Sequence, residues 1–353
     1  MSLRADSLLL RRAVAAGRIR PPGPFKVTAA VTWVCEQHCL HCNIWRREQG
    51  EELSAAEWRQ VWREARSTLS WIDLTGGEVT SRLDFDEIAV AAIEEIPDLA
   101  MLHFPSNGSD PQKLESLTRR ILAAEPNRLV VSISLDGPPD LHDRIRGQKG
   151  AFATALTSWK RLRGLGVATY FGMTLSPLNL DSLHETMAAL QAELPGFGWR
   201  DLHNNFLHTS PHYFGNEGMQ RLSPQQMEDA ARELMDLRGL PRGPIELLER
   251  MYLRQVGRYA QRGRSPQPCT SLAGNCFIAP DGTVHPCHVW DKPLGRLANH
   301  GYSLEQIWPK TPALRAREQV SREQCPGCWT PCEAHPTILA NLPWKRGRIR
   351  ART

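Results

Sequence analysis

The sequence predicts an α/β protein: a partial (β/α)6 TIM-like barrel followed by a small C-terminal cysteine-rich β-hairpin/α domain. Three observations predict it. Six apolar, strand-like runs alternate with helical patterns from Lys26 to about residue 262, and such alternation implies a parallel sheet with right-handed crossovers. Several of those runs end in glycines and polar side chains, as strands do at the chemical mouth of a barrel. All nine cysteines fall into two groups, at 35–42 and 269–332, with none between them.

Residues 1–25 carry Arg11, Arg12, Arg18 and Arg20 and end in Arg20-Pro21-Pro22-Gly23-Pro24, a stiff extended segment expected to deliver the chain to the barrel. Lys26 to Val34, rich in Val and Ala, reads as the first buried strand. Cys35-Glu36-Gln37-His38-Cys39-Leu40-His41-Cys42 follows it directly, so three thiols sit at a strand's C-terminal edge. Ser54-Ala55-Ala56-Glu57 is a capping-box signature, and Trp58, Trp62 and Ala65 recur behind it at helical spacing. The second strand, Trp71 to Glu78, runs into Gly76, Gly77 and a carboxylate that can accept from an amine.

A helix near 83–95, a strand at 99–104, the loop Ser106-Asn107-Gly108 and a helix at 111–124 come next. In the strand Leu129 to Gly137, Ser134 and Asp136 stand two apart and share a face. Leu141-His142-Asp143-Arg144-Ile145-Arg146-Gly147 offers two guanidiniums suited to bidentate pairing with a carboxylate. Helix 151–163, strand 167–175, helix 180–193, strand 197–206 and a helix capped by Ser223 complete six units, and a longer helix is expected over about 246–262. His203, Asn205, His208, His212 and Tyr213 form the densest polar-aromatic patch of the middle chain, and their place at the sixth strand end makes them candidates to line a substrate cavity.

Past Gly263-Arg264-Ser265-Pro266 the composition changes. Asp281-Gly282 is a hairpin turn that would fold Cys276 and Cys287 toward each other, and Cys325, Cys328 and Cys332 supply a second knuckle. The domains expected are a basic extension at 1–25, the barrel at 26–262, the cysteine domain at 263–335 and a basic tail at 336–353 carrying Lys345, Arg346, Arg348, Arg350 and Arg352.

Hydrophobic content of 41% suits a globular protein with a sizeable core, and the net charge of +5 is modest for 353 residues. No apolar run is long enough to span a bilayer and no basic-then-apolar leader is evident, so a cytoplasmic protein is expected. Clustered cysteines then read as metal sites in a reducing compartment. Three thiolates leave one iron of a four-iron cubane open, and an open iron can hold a substrate or cofactor. A zinc site completed by His38 or His41 is the alternative.

The CxxxCxxC spacing of Cys35, Cys39 and Cys42, the Gly76-Gly77-Glu78 triplet and the His142-Asp143…Arg146-Gly147 segment together resemble the radical S-adenosylmethionine (radical SAM) enzymes. Val79 stands where that family usually has proline. The pattern Cys269…Gly282-xxxx-Cys287 resembles the SPASM and twitch iron–sulfur domains that follow many such barrels, with a shortened knuckle. The resemblance implies a 4Fe-4S cluster on the first three cysteines, and a radical enzyme that cleaves S-adenosylmethionine to a 5'-deoxyadenosyl radical. It implies that Gly76, Gly77 and Glu78 meet the cofactor's amino group and that Ser134 and Asp136 meet its ribose and carboxylate. Arg144 or Arg146 would hold that carboxylate, and His41 would pack on adenine.

Six C-terminal thiols cannot fully ligate two cubanes, so at least one auxiliary 4Fe-4S cluster is expected, on Cys269, Cys287, Cys325 and Cys328 with Cys276 and Cys332 as competitors, two incompletely ligated clusters being the alternative. A reductant such as flavodoxin or ferredoxin and a peptide or small-molecule substrate follow, with oxidation, crosslinking or epimerisation as the outcome; nucleic acid is not an expected partner. The competing class is a non-catalytic iron–sulfur or zinc protein that binds nucleic acid through its basic ends.

Overall fold

All six strand-like runs form strands. The computed structural model describes residues 3–18 and 21–342, so Arg20 and the basic run from Lys345 to Arg352 lie outside the described residues. After α1 (Leu3–Ala16), the repeating units are β1 (Lys26–Thr32) with α2 (Ala55–Ala65), β2 (Trp71–Gly76) with α3 (Phe85–Glu95), and β3 (Met101–Ser106) with α4 (Pro111–Ala123). β4 (Leu129–Ser134) is followed by α5 (Pro139–Arg146) and α6 (Ala151–Gly164), β5 (Ala168–Leu175) by α7 (Leu183–Glu193), and β6 (Leu202–Phe206) by α8 (Pro224–Arg238). α9 (Pro244–Leu253) and α10 (Val256–Arg262) lead to β7 (Asn275–Ile278), β8 (Thr283–His285) and β9 (Gly295–Arg296), and α11 (Leu304–Ile307), α12 (Thr311–Ser321) and α13 (Pro331–Ala340) follow.

The strands make one sheet in the order β6-β5-β4-β3-β2-β1-β7-β8-β9. β1 to β6 pair in parallel with their neighbours. β7 joins β1 in parallel, and the hairpin then continues antiparallel. The cysteine-bearing hairpin therefore grows from the barrel's own sheet. On β3 and β5, helix-facing side chains such as Phe104 and Phe171 are buried while alternate positions are half-buried, which identifies a lumen face that water reaches. Outside the sheet, Trp58 and Trp62 of α2 stack at 5.1 Å and are fully buried. Each such burial stabilises by roughly 1.5–3 kcal/mol.

Three local expectations are corrected. The N-terminal segment, expected as a basic extension with no helix, is helical over Leu3–Ala16, because its Leu and Ala residues favour helix and Ala13 and Ala16 pack with Leu339. On this helix Arg12 donates to Leu69 O at 2.6 Å and to Ser70 Oγ at 2.7 Å. The helix expected over 246–262 breaks at Gln255 into α9 and α10, and the sixth strand begins at Leu202 because Gly196, at φ +82°, turns the chain first.

Candidate active site

The cysteine loop is held from three sides. The backbone beyond β2 zips onto its entry, with Gly77 N donating to Thr32 O and Glu78 N to Val34 O, both at 2.8 Å. A Cβ on Gly76, whose φ is +133°, would lie 2.1 Å from Thr32 O, and one on Gly77 would lie 2.2 Å from Val34 O. The paired glycines are thus required for this approach of backbone to backbone. From below, α5 donates its end: Leu40 N bonds Ile145 O at 2.8 Å, and the left-handed cap Gly147 sits against His38 O. The third support is the loop after β6, where Asn43 N reaches Phe214 O at 2.8 Å and Asn216 Nδ2 reaches His41 O at 3.2 Å.

Glu78 is buried and accepts four hydrogen bonds, from Thr80 N, Thr80 Oγ1 and Ser106 Oγ on Oε1 and from Asn107 N on Oε2. All four donors are neutral, and burial raises the carboxyl's pKa. This is an acid that a nearby ammonium would suit. Asp136 is held differently. Burial opposes its charge, but Arg146 at 2.6 Å wins and holds the carboxyl below its usual range, with Thr174 N donating to Oδ1 at 3.0 Å. Arg146 also points Nη1 at Cys39 Sγ, 3.8 Å away, and its buried Nε has no hydrogen-bond partner among the described residues. Arg144 is exposed, and Ser134 is half-buried on the lumen face. His41 is buried 3.9 Å from Asp136 and kept neutral chiefly by burial.

The five substrate candidates divide into two groups. His203 and Asn205 lie on the half-buried lumen face of β6, where His203 packs on Tyr170 at 4.0 Å and pairs with Glu249 at 2.8 Å. His208, His212 and Tyr213 instead form the seam with the hairpin. His208 Nε2 meets His288 Nε2 at 3.0 Å, His212 stacks on His285 at 4.6 Å, and Tyr213 hydroxyl meets Thr75 Oγ1 at 2.7 Å. Lumen residues that pattern reading missed are His103, bonded to Asp73 at 3.1 Å and Ser132 at 3.0 Å, and the buried Lys26, 2.8 Å from Asp73. His103 and Lys26 sit inside strands, where an isolated polar residue carries no sequence signal.

His203 also lines a pocket between β6, α8 and α9 with Arg200, Arg238, Glu246 and Glu249, where Arg200 pairs with Glu246 and Arg238 with Glu249 at 2.6 Å.

Cys269, Cys287, Cys325 and Cys328 line one cavity together with Glu333. Cys276 and Cys332 are not among its lining residues: Cys276 packs in the hydrophobic core, and the Cys332 carbonyl accepts from Lys26 at 2.8 Å. Burial pushes the Cys269 thiol up to about 12, so its ionised form needs a compensating cation there. Among the described residues no three side chains are gathered as for a single ion. A cubane takes each ligand on a different iron, so its thiolates stand farther apart than those of one ion, and the cavity's donor set fits that group. Glu333 was also missed. It lies in the first turn of α13, three residues after Thr330, at the spacing of a helix cap, yet its side chain bonds His288 Nδ1 at 3.2 Å and Asn275 Nδ2.

Comparison with known proteins agrees in sequence and fold. The profile of the radical SAM superfamily matches residues 31–190, and that of an iron–sulfur cluster-binding domain, SPASM, matches residues 269–332. PqqA peptide cyclase of Ruegeria pomeroyi is 28% identical over 320 residues, covering 87% of this chain and 80% of that protein. The sporulation killing factor maturation protein SkfB of Bacillus subtilis is 24% identical over 306 residues, covering 86% and 69%. The crystal structure of Streptococcus suis SuiB bound to precursor peptide SuiA superposes with a TM-score of 0.59 at 14% identity, over 92% of this chain and 74% of that one, a likeness of fold.

Proposed function

This chain is a radical SAM enzyme with a C-terminal SPASM iron–sulfur domain, and from that premise we propose that it oxidises or crosslinks a side chain of a peptide. Family membership brings a 4Fe-4S cluster, S-adenosylmethionine and auxiliary iron–sulfur chemistry, and sets aside the non-catalytic nucleic-acid binder. No helix among the described residues is long and apolar enough to cross a membrane. The names of the relatives supply the substrate class: one is a peptide cyclase, and another matures a killing factor.

In this reading Cys35, Cys39 and Cys42 hold the first cluster and Cys269, Cys287, Cys325 and Cys328 the auxiliary one, with the barrel at 26–262 and the cysteine domain at 263–335. When bound and reduced, the first cluster with S-adenosylmethionine supplies a 5'-deoxyadenosyl radical able to take hydrogen from an unactivated carbon. Glu78, whose Oε2 accepts from a single neutral donor, would take the cofactor's ammonium. The lumen faces of β3 to β6 position the peptide, and the Tyr213 seam keeps water from the space between the two cysteine groups.

The observation that carries the oxidative outcome is the hydrogen-bonded series His208–His288–Glu333, which joins the end of β6 to a cavity with four thiols, a full set for an electron-accepting cluster. Epimerisation is the second reading. Its hydrogen donor would be Cys332, which lies outside the cavity near Lys26.

The test is anaerobic turnover of the reconstituted chain with a synthetic peptide library in deuterated water, read by mass spectrometry. Loss of two hydrogens from a peptide supports oxidation or crosslinking. Uptake of one solvent deuterium without oxidation supports epimerisation, and unmodified peptides alongside a modified small metabolite would overturn the peptide reading.

A further inference from the structure

One guanidinium joins a cysteine sulfur to a buried carboxylate. Arg146, the last residue of α5, is 8% exposed; its Nη2 lies 2.6 Å from Asp136 Oδ2, and its Nη1 lies 3.8 Å from Cys39 Sγ. The arrangement is braced at every joint. Asp136 accepts from Thr174 N at 3.0 Å, its carbonyl accepts from Asn179 Nδ2 at 2.9 Å, and its own N–H donates to His142 Nδ1 at 2.9 Å. The end of α5 is fixed under the cysteine loop by the Leu40–Ile145 bond and by Gly147, so Arg146 cannot drift from Cys39 without moving the loop. Arg144, two residues earlier on the same helix, faces outward.

A guanidinium stays charged at any working pH. Hydrogen bonds to ligand sulfurs and the local net charge are levers that set the reduction potential of an iron–sulfur cluster. A cation donating to a ligand sulfur stabilises the state with one more electron, so it makes the cluster easier to reduce. A carboxylate behind that cation works against it, and its distance sets how much of the cation's field remains.

We propose that Arg146, held in place by the docked end of α5, raises the reduction potential of the cluster held by the first cysteine loop, and that Asp136 tempers its field. Arg146 is a positioning and tuning residue. The step it governs is a one-electron reduction: an external low-potential donor is oxidised by one electron, the cluster is reduced by one electron, and no bond or proton is exchanged with Arg146. The proposal goes beyond the reading of substrate and rests on Cys35, Cys39 and Cys42 as the cluster ligands.

The experiment is a redox titration followed by electron paramagnetic resonance on the reconstituted full chain, in wild type, Arg146→Gln, Arg146→Lys and Asp136→Asn. The auxiliary cluster serves as an internal reference. At the wild-type midpoint, Arg146→Gln is expected to lower the reduced-to-oxidised ratio of the first cluster ~10-fold, equivalent to about 59 mV more negative for a one-electron couple. Arg146→Lys, which keeps the charge and loses the fork, shifts it less. Asp136→Asn moves it the opposite way, to a more positive potential, and this sign decides the question if Arg146→Gln does not retain the first cluster. An unmoved first-cluster midpoint, equal shifts of both clusters, or a negative shift in Asp136→Asn would overturn the proposal. A wild-type signal that survives Cys42→Ala unchanged would instead remove the ligand assignment on which it rests.

Discussion

Glu78 is a buried acid whose four neutral hydrogen-bond donors favour its ionised form without outweighing burial, so a cofactor ammonium would supply the remaining stabilisation. Glu78→Gln should therefore weaken S-adenosylmethionine binding by about 1.5–3 kcal/mol, the range for a hydrogen bond to a charged group, or roughly 10–100-fold. Equilibrium dialysis on the reconstituted chain measures it, and unchanged affinity would place the ammonium elsewhere. The cysteines make a second residue-level prediction. Cys328→Ala should remove one cluster's worth of iron and sulfide per chain, whereas Cys276→Ala, which alters a core position, should leave iron content unchanged and lower stability.

The element that organises the site is the join between β2 and the cysteine loop. Gly77→Ala would place its Cβ 2.2 Å from Val34 O and 2.9 Å from Trp33 O, both backbone atoms that cannot swing aside. The expected cost is about 2–3 kcal/mol or more, seen as a lower urea midpoint with an unchanged slope, together with loss of cluster from the loop. This join was legible in the sequence only in part. The Gly76-Gly77-Glu78 triplet could be located from its spacing, but reading it as a cradle for the cofactor missed that its glycines serve backbone contact with Thr32 and Val34.

Strand and helix alternation over 26–262 was readable because the strands' helix-facing side chains are mostly apolar, Asn204 of β6 being an exception that bonds Arg238 of α8. The N-terminal helix was not legible because arginines interrupt its Leu and Ala pattern and its stability comes from docking on α13, where Ala13 and Ala16 meet Leu339 from the other end of the chain. The same separation along the chain hid Glu333, His288 and Lys26, each of which gains its role from a distant partner.

Across the whole molecule, the barrel and the cysteine hairpin share one sheet, and histidines seal the seam. Burial holds His208 at a pKa of about 3 and His142 at about 4, both below the ordinary 6.5, with His288 and Arg146 adding to the respective shifts. The unfolded chain binds protons at these positions that the folded chain refuses. Their effect is absent above pH 6.5 and grows as pH falls toward 4, at about 1.36 kcal/mol per pH unit for each group. The melting temperature should accordingly fall between pH 7 and 5, and a His208→Phe variant should show a shallower fall.

The measurement that bears most directly on the account is 5'-deoxyadenosine formation from S-adenosylmethionine by the anaerobically reconstituted, reduced chain, compared between wild type and Cys42→Ala. Wild type is expected to form 5'-deoxyadenosine and the variant none above background, with auxiliary cluster content retained. A wild-type chain that holds both clusters in reduced form yet leaves the cofactor intact, or a variant that cleaves it equally well, would contradict it.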